Sequence, residues 1–125
     1  MLAAMSRSVL LVDDHAGFRA QARALLTAAG YDVIGEAADG ESAVRLARAL
    51  APQLVLLDIQ LPDISGFEVV GRLHEQPDPP ATILISSRDA SDYGGRVGRS
   101  PAVGFIGKAD LSGPAIEALL GTGEP

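Results

Sequence analysis

The stretch Leu54-Val55-Leu56-Leu57-Asp58 consists of four apolar residues that end in a single acid. Two other runs have the same form: Val9-Leu10-Leu11-Val12 is followed by Asp13-Asp14, and Ala102-Val103-Gly104-Phe105-Ile106-Gly107 by Lys108, the only lysine. Short apolar runs of this kind are typical of buried parallel strands. Ligands of open parallel sheets bind beyond the carboxyl ends of the strands. We therefore expect the three acids and the lysine to meet at one edge of one sheet.

Helical patterns alternate with the apolar runs along the whole chain. Two further strands are predicted at Tyr31–Ala37 and Ala81–Ile85. The predicted helices turn these residues inward: Phe18, Ala22, Leu25, Leu26 and Ala29; Ala43, Leu46, Ala47 and Leu50; Phe67, Val70 and Leu73; Ile116, Leu119 and Leu120. This alternation predicts an α/β protein, a three-layer αβα sandwich around a five-stranded parallel sheet. The flavodoxin-like strand order 2-1-3-4-5 would place the first and third strands side by side.

One segment departs from this regular alternation. Three glycines, Gly94, Gly95 and Gly98, fall between residues 88 and 100, where a helix is due. Each glycine inside a helix costs up to about 1 kcal/mol relative to alanine. We therefore predict a short, frayed or mobile helix in this segment. Ser65, by contrast, is a good N-cap for the predicted helix that follows it and carries Phe67, Val70 and Leu73.

Length and composition favour a single packed domain. The chain has 125 residues, is 47% hydrophobic, carries a net charge of −6 and has no cysteine. The negative charge argues against direct binding to nucleic acid or to an anionic membrane. The absence of cysteine excludes disulfides and thiolate chemistry. With neither a signal peptide nor an apolar span evident, we expect a cytoplasmic domain over residues 8–120, a flexible N-terminus over 1–7 and a tail or linker over 121–125.

The ordered set of motifs resembles the receiver domain of bacterial response regulators, which belong to the CheY-like superfamily. It comprises Asp13-Asp14, Asp58, the loop Leu61-Pro62-Asp63-Ile64-Ser65-Gly66, Ser86, and Phe105-Ile106-Gly107-Lys108. No one motif is specific, but the full set in this order is. The resemblance implies a switch in two-component signalling. Such a domain accepts a phosphoryl group from a histidine kinase or phosphotransfer protein and changes conformation to control an output.

The resemblance also assigns roles to individual residues. Asp58 would be the phosphoacceptor. Asp13, Asp14, Asp58 and the backbone carbonyl of Gln60 would hold Mg²⁺, which prefers octahedral oxygen ligands. An acid cluster of this kind needs a cation because neighbouring carboxylates repel one another and an incoming phosphoryl group. Phosphoryl transfer depends on positioning and charge neutralisation more than on acid–base chemistry.

Three further residues complete the implied switch. Lys108 would hold a phosphoryl oxygen and would pair with Asp58 before phosphorylation. The hydroxyl of Ser86 would swing to the phosphoryl group, and Phe105 would turn inward on activation. Two positions depart from the common pattern: Ser87 stands where many receivers have alanine, and Ala109 stands where many have proline.

Each of these residues also has an ordinary structural explanation. Asp58 could cap the following loop, and the pair Asp13-Asp14 could cap a helix. Lys108 could be a surface lysine, and Phe105 a core residue. For the two histidines the ordinary explanation is preferred, a surface loop for His15 and a solvent-facing helix position for His74.

The implied output is transcription, through an attached DNA-binding domain absent from this chain. A stand-alone receiver that acts through protein–protein contacts is the alternative, and a second copy of the chain is a further candidate partner after phosphorylation. A Mg²⁺-dependent phosphohydrolase with an aspartyl nucleophile is a third hypothesis. Such enzymes typically carry a second Asp two residues after the nucleophile, where this chain has Gln60. We therefore expect no enzyme activity beyond the domain's own phosphorylation and dephosphorylation.

Overall fold

A computed structural model describes residues 7–121, and the predictions for residues 1–6 and 122–125 lie outside the described residues. The strands are β1 (Ser8–Val12), β2 (Asp32–Ala37), β3 (Leu54–Asp58), β4 (Ala81–Ser86) and β5 (Gly104–Gly107). The helices are α1 (Ala16–Ala28), α2 (Gly40–Leu50), α3 (Gly66–Leu73), α4 (Arg96–Arg99) and α5 (Gly113–Leu120). Two short 3₁₀ helices span Ala90–Tyr93 and Lys108–Asp110. Within residues 7–121, no helix is both long enough and apolar enough to cross a membrane.

All five strands belong to one parallel sheet with the order β2-β1-β3-β4-β5. The predicted αβα fold and strand order are thus confirmed. Val12 of β1 lies beside Leu57 of β3 in the register. Asp13 and Asp58, the next residues along each strand, are therefore neighbours at the carboxyl edge of the sheet.

The core has two layers because successive side chains of a strand point to opposite faces of the sheet. On one face, Leu54 and Leu56 of β3 pack with residues of α1 and α5. On the other face, Val55 and Leu57 pack with residues of α2 and α3. The fully buried strand β3 thus carries Asp58 out of the middle of the core to the sheet edge.

Three sequence predictions about side-chain exposure are wrong. Ala29 is predicted to face inward, but it is exposed, since it is the C-cap residue of α1. Leu50 was expected to face inward, but it is 38% exposed. It is the last residue of α2 and lies over Gly35 of the edge strand β2, where the sheet ends. His74 was expected to face solvent, but it is partly buried, since it forms the C-cap of α3 and its Nδ1 lies 3.2 Å from the carbonyl oxygen of Val70.

The glycine-rich segment forms only short helices, as predicted. We call residues 90–99 the 90–99 segment: it consists of the 3₁₀ helix, Gly94 and Gly95, and the four-residue helix α4. Gly94 has a φ of 60°, a value that favours glycine. None of the residues of the 90–99 segment is buried, so few apolar contacts hold this segment to the sheet. Its mobility remains a prediction.

Gly66, at the start of α3, permits close contact with the strand end that carries Asp58. Ser65, the residue before it, is the N-cap of α3 as predicted, and its side chain accepts a hydrogen bond from the backbone N–H of Glu68. A Cβ atom on Gly66 would lie 2.6 Å from the carbonyl oxygen of Asp58 and 2.8 Å from the Cα atom of Ile59. Both of these atoms belong to the backbone, so a side chain at this position must displace the main chain beside Asp58.

We therefore expect Gly66→Ala to lower the free energy of unfolding by about 1–3 kcal/mol, the usual cost of overpacking. Urea denaturation measures this change. Gly71→Ala in the same helix is the matched control, because nothing lies within 4 Å of the Cβ it would add. The control should be neutral or slightly stabilising, since alanine favours helix. Equal stability of the two variants would contradict the packing argument.

Candidate functional site at the carboxyl edge of the sheet

The structure brings the predicted acids together at the ends of β1 and β3. Ligand atoms of Asp13, Asp14, His15 and Asp58 all lie within 4.8 Å of one another. The two strand-end acids are buried, with Asp13 0% and Asp58 3% exposed. The side chain of Asp14 is 34% exposed and opens the cluster to solvent. These placements agree with the sequence prediction, whereas the roles assigned to the residues remain predictions.

Lys108 reaches into this cluster from the end of β5. Its Nζ lies 2.6 Å from Asp13 Oδ2 and 3.3 Å from Asp58 Oδ2. It also lies 4.7 Å from the centroid of the Phe18 ring on α1. Because its side chain is only 16% exposed, Lys108 is not a surface lysine. The predicted pairing with Asp58 is present, but the contact with Asp13 is the shorter one.

Burial and charge act in opposite directions on the ionisable groups of the cluster. Burial raises the pKa of Asp58, and the bond from Gln60 and the charge of Lys108 offset this only in part. Burial also works against the charged form of Lys108, but the bonds and charges of Asp13 and Asp58 outweigh it and raise the pKa of Lys108. The cluster therefore stabilises the lysine as a cation between two acids.

Asp58 also interacts with the loop that follows it. Its Oδ1 accepts a hydrogen bond of 3.2 Å from the backbone N–H of Gln60. The ordinary explanation of Asp58 as a loop cap is therefore correct as well, and it does not conflict with a chemical role, since Oδ2 faces Lys108. The backbone carbonyl of Gln60 as a metal ligand remains a prediction.

The alternative of Asp13-Asp14 as a helix cap is wrong. His15 is the N-cap residue of α1, and no side chain caps this helix end. Asp13 Oδ1 instead accepts a hydrogen bond of 2.8 Å from the His15 backbone N–H. The His15 side chain is 70% exposed, as expected of a loop histidine, yet its Nδ1 lies 3.1 Å from both Asp13 Oδ1 and Asp14 Oδ1.

Arg19 on α1 holds the backbone behind the cluster, a contact that the sequence patterns did not indicate. Its Nη1 donates to the carbonyl oxygen of Asp13, and its Nε donates to Glu36 on β2 at 2.9 Å. The bonds from Arg23 and Arg19 lower the pKa of Glu36 below its usual value, although its partial burial works in the opposite direction. A basic residue six positions after an acid has no distinctive spacing, which explains why the sequence did not single it out.

Ser86 is buried at the end of β4, next to the strand that carries Asp58. Its Oγ accepts a bond of 3.0 Å from the backbone N–H of Arg88 and lies 2.7 Å from the hydroxyl of Tyr93. Phe105 is partly buried and packs against the core on the side of α2 and α3, which agrees with its ordinary explanation as a core residue. Its inward movement remains a prediction.

The chemistry of the donor set fits a hard divalent cation. Asp13, Asp14 and Asp58 present carboxylate oxygens within one small volume, and oxygen is the ligand that Mg²⁺ prefers. Asp14 is the most open of the three, so an ion from solvent can reach it. The cluster can therefore hold a metal, and Mg²⁺ in particular belongs to the proposal below.

Residues 9–113 match the family model of the response regulator receiver domain. The chain therefore belongs to this family, as its motifs suggested. The match leaves only the two ends of the chain outside and includes all the acids of the cluster, Ser86 and Lys108.

Individual relatives agree with this family. The chain is 36% identical over 120 residues to the positive alginate biosynthesis regulatory protein of Pseudomonas aeruginosa, covering 94% of this chain and 48% of that protein. It is 37% identical over 83 residues to the chemotaxis protein CheY of Thermotoga maritima, covering 66% of this chain and 68% of that protein. The chain spans about half the length of the curated transcription regulators that it matches.

Solved structures give the same result. A two-component response regulator of the LuxR family from Aurantimonas sp. SI85-9A1 superposes with a TM-score of 0.84 at 30% identity, covering 94% of this chain and 86% of that one. A second similar structure is the CheX-CheY-BeF₃-Mg²⁺ complex from Borrelia burgdorferi, with a TM-score of 0.80, 26% identity, and coverage of 93% and 87%.

Proposed function

We propose that this receiver domain accepts a phosphoryl group on Asp58 from a histidine kinase or phosphotransfer protein, with Mg²⁺ as the required cation. The observation that carries the proposal is the position of the Asp58 carboxylate. It lies at the edge of the sheet between an acid cluster and the ammonium group of Lys108. A nucleophile between a metal site and a fixed cation suits the transfer of a highly charged group.

In this reaction an oxygen of Asp58 attacks the phosphorus of a phosphohistidine. A P–O bond forms as the P–N bond breaks, and the electron pair of the P–N bond returns to the imidazole nitrogen of the donor. Lys108 provides a point charge beside the incoming phosphoryl oxygens. Gln60 holds one Asp58 oxygen through its backbone N–H, which fixes the rotation of the carboxylate. Bound Mg²⁺ would be held by Asp13, Asp14 and Asp58, and would neutralise charge on the phosphoryl oxygens.

The direct test is incubation of the chain with acetyl phosphate and Mg²⁺. Intact-mass spectrometry should show the gain of one phosphoryl group, and the gain should disappear when the metal is chelated. Labelling that is equally rapid without Mg²⁺ would overturn the metal requirement. The complex of a similar CheY with BeF₃ and Mg²⁺ supports the choice of this ion.

We expect Asp14→Asn to weaken Mg²⁺ binding by roughly tenfold or more. A divalent ion about 4 Å from a unit charge gains about 2 kcal/mol even at the dielectric constant of water. Calorimetric titration with Mg²⁺ measures the change. Glu75→Gln, which removes one exposed charge from the turn after α3, is the control and should leave the affinity unchanged. Equal affinities for both variants would exclude Asp14 as a ligand.

The output is proposed to be transcription, controlled from the cytoplasm through a DNA-binding partner domain. The supporting observation is that relatives named as transcription regulators are about twice as long as this chain. A phosphohydrolase is not favoured, because the position two residues after Asp58 is the exposed Gln60, whose described contact is through its backbone. We therefore expect no turnover of p-nitrophenyl phosphate, and steady turnover would contradict this assignment.

A further inference from the structure

We propose that Tyr93 is a positioning residue for the switch. Its hydroxyl holds the Ser86 hydroxyl in the resting state and ties the 90–99 segment to the phosphorylation site. The inference rests on the function proposed above. It concerns how phosphorylation of Asp58 would change the 90–99 segment, in which no residue is buried.

The first step is the hydrogen bonding of Ser86. A serine hydroxyl has one proton to donate and two lone pairs that can accept. One lone pair receives the backbone N–H of Arg88 at 3.0 Å, and the Tyr93 hydroxyl lies 2.7 Å from the same serine oxygen. Ser86 is completely buried, so its hydroxyl needs a partner within the protein, and Tyr93 provides one. We assign the serine proton to the bond with Tyr93, which leaves one lone pair of Ser86 unused.

The second step is the position of Tyr93 in the 90–99 segment. It is the last residue of the 3₁₀ helix and is followed by Gly94 and Gly95. Its ring packs edge-on against Phe67 of α3, with the centroids 5.8 Å apart. Beside it, the guanidinium group of Arg96 lies 4.3 Å from the centroid of the Phe67 ring. The bond to Ser86 therefore joins the 90–99 segment, in which no residue is buried, to a strand end in the core.

The third step is competition for the serine hydroxyl. A phosphoryl group on Asp58 would offer charged oxygen acceptors, and hydrogen bonds to charged groups are stronger than those between two neutral hydroxyls. Because Ser86 has a single proton, which it donates to Tyr93 in the proposed resting state, donating that proton to the phosphoryl group would break the bond to Tyr93. The aromatic residue on β5 cannot take the place of Tyr93, because Phe105 has no hydroxyl. A bond made only in the resting state biases the equilibrium against switching, so its loss would free the 90–99 segment.

The test in the resting state uses Tyr93→Phe, which removes only the hydroxyl. Amide hydrogen exchange at Gly94 and Arg99, which bond within the segment, should become roughly two- to tenfold faster, the usual net effect of one hydrogen bond. Ser86→Ala should accelerate exchange at least as much, because it also removes the acceptor of the Arg88 N–H, and adding Tyr93→Phe to Ser86→Ala should cause no further acceleration. The matched control is Tyr31→Phe, which removes a hydroxyl bonded to Glu117 on the other face of the sheet. It should leave these two amides unchanged, and additive effects of the two single variants would overturn the contact.

The test of coupling is a titration with beryllofluoride in the presence of Mg²⁺, followed by the amide resonances of Gly94, Gly95 and Gly98. Tyr93→Phe should lower the half-saturating concentration roughly two- to tenfold, whereas Tyr31→Phe should not. An unchanged or raised concentration in Tyr93→Phe would overturn the proposal, and a raised value would indicate that the tyrosine assists switching. Absence of any response in the native chain would instead refute the proposed function itself, so the two failures are distinguishable.

Discussion

Asp58→Asn is expected to abolish phosphorylation of the chain by acetyl phosphate. The amide has the shape of the carboxylate but lacks the anionic oxygen that would attack phosphorus. Intact-mass spectrometry in the presence of Mg²⁺ measures the effect, and the expected result is complete loss of the phosphorylated species. Asp32→Asn is the control, because Asp32 is exposed at the first position of β2, at the opposite end of the strands. Persistent labelling of Asp58→Asn would show that another residue is the acceptor.

The stability of this variant separates lost chemistry from lost folding. Burial raises the pKa of Asp58 in the folded chain, so ionisation of this group opposes folding once the pH exceeds the unfolded value of about 4. The neutral amide does not carry this cost. Asp58→Asn should therefore unfold at the same urea concentration as the native chain, or at a higher one, at pH 7. A large loss of stability would show that the Asp58 carboxylate is needed mainly to hold the fold together.

Lys108→Met is expected to lower both the stability of the chain and its response to beryllofluoride. It leaves Asp13 and Asp58 buried side by side without their cation, and a buried charge without a partner costs about 1–3 kcal/mol or more. We expect the free energy of unfolding at pH 8 to fall by this amount. The variant should also lose most of its response to beryllofluoride, because the fixed charge beside the phosphoryl oxygens is gone.

The pH dependence identifies the cause of this loss. Lys108 has a raised pKa, so its contribution is fully present below the unfolded value of 10.5 and disappears only at alkaline pH. Without the lysine, nothing offsets the charge of Asp13, which raises the pKa of Asp58, and protonation of Asp58 relieves the repulsion as the pH falls towards about 4. The stability difference from the native chain should therefore be smaller at pH 5 than at pH 8.

Lys108→Arg, which keeps the positive charge, is the control for this experiment. Its stability difference from the native chain should vary little with pH, whatever its size. A difference for Lys108→Met that is equal at both pH values would contradict an electrostatic origin. It would point instead to the lost contact between Lys108 Nζ and the Phe18 ring, which is the same at both pH values.

The sequence by itself determined the order of the elements, the sheet topology and the identity of the acids at the strand ends. The clearest example is β3, whose observed bounds, Leu54–Asp58, are those of the predicted run. A strand buried on both faces must be apolar throughout, so its length and its polar end are both visible in the sequence. Because the carboxyl ends of parallel strands lie at one edge, the meeting of Asp13 with Asp58 followed from topology alone.

Only the tertiary structure decided which side chains touch within the site. Lys108 lies closer to Asp13 than to Asp58, and Tyr93 reaches Ser86 from an irregular segment. These contacts depend on side-chain rotamers and on the path of a glycine-containing loop, which no periodic pattern records. Periodicity specifies which face of an element is buried, whereas the partner of a polar group is set by the packing of elements that are distant along the chain.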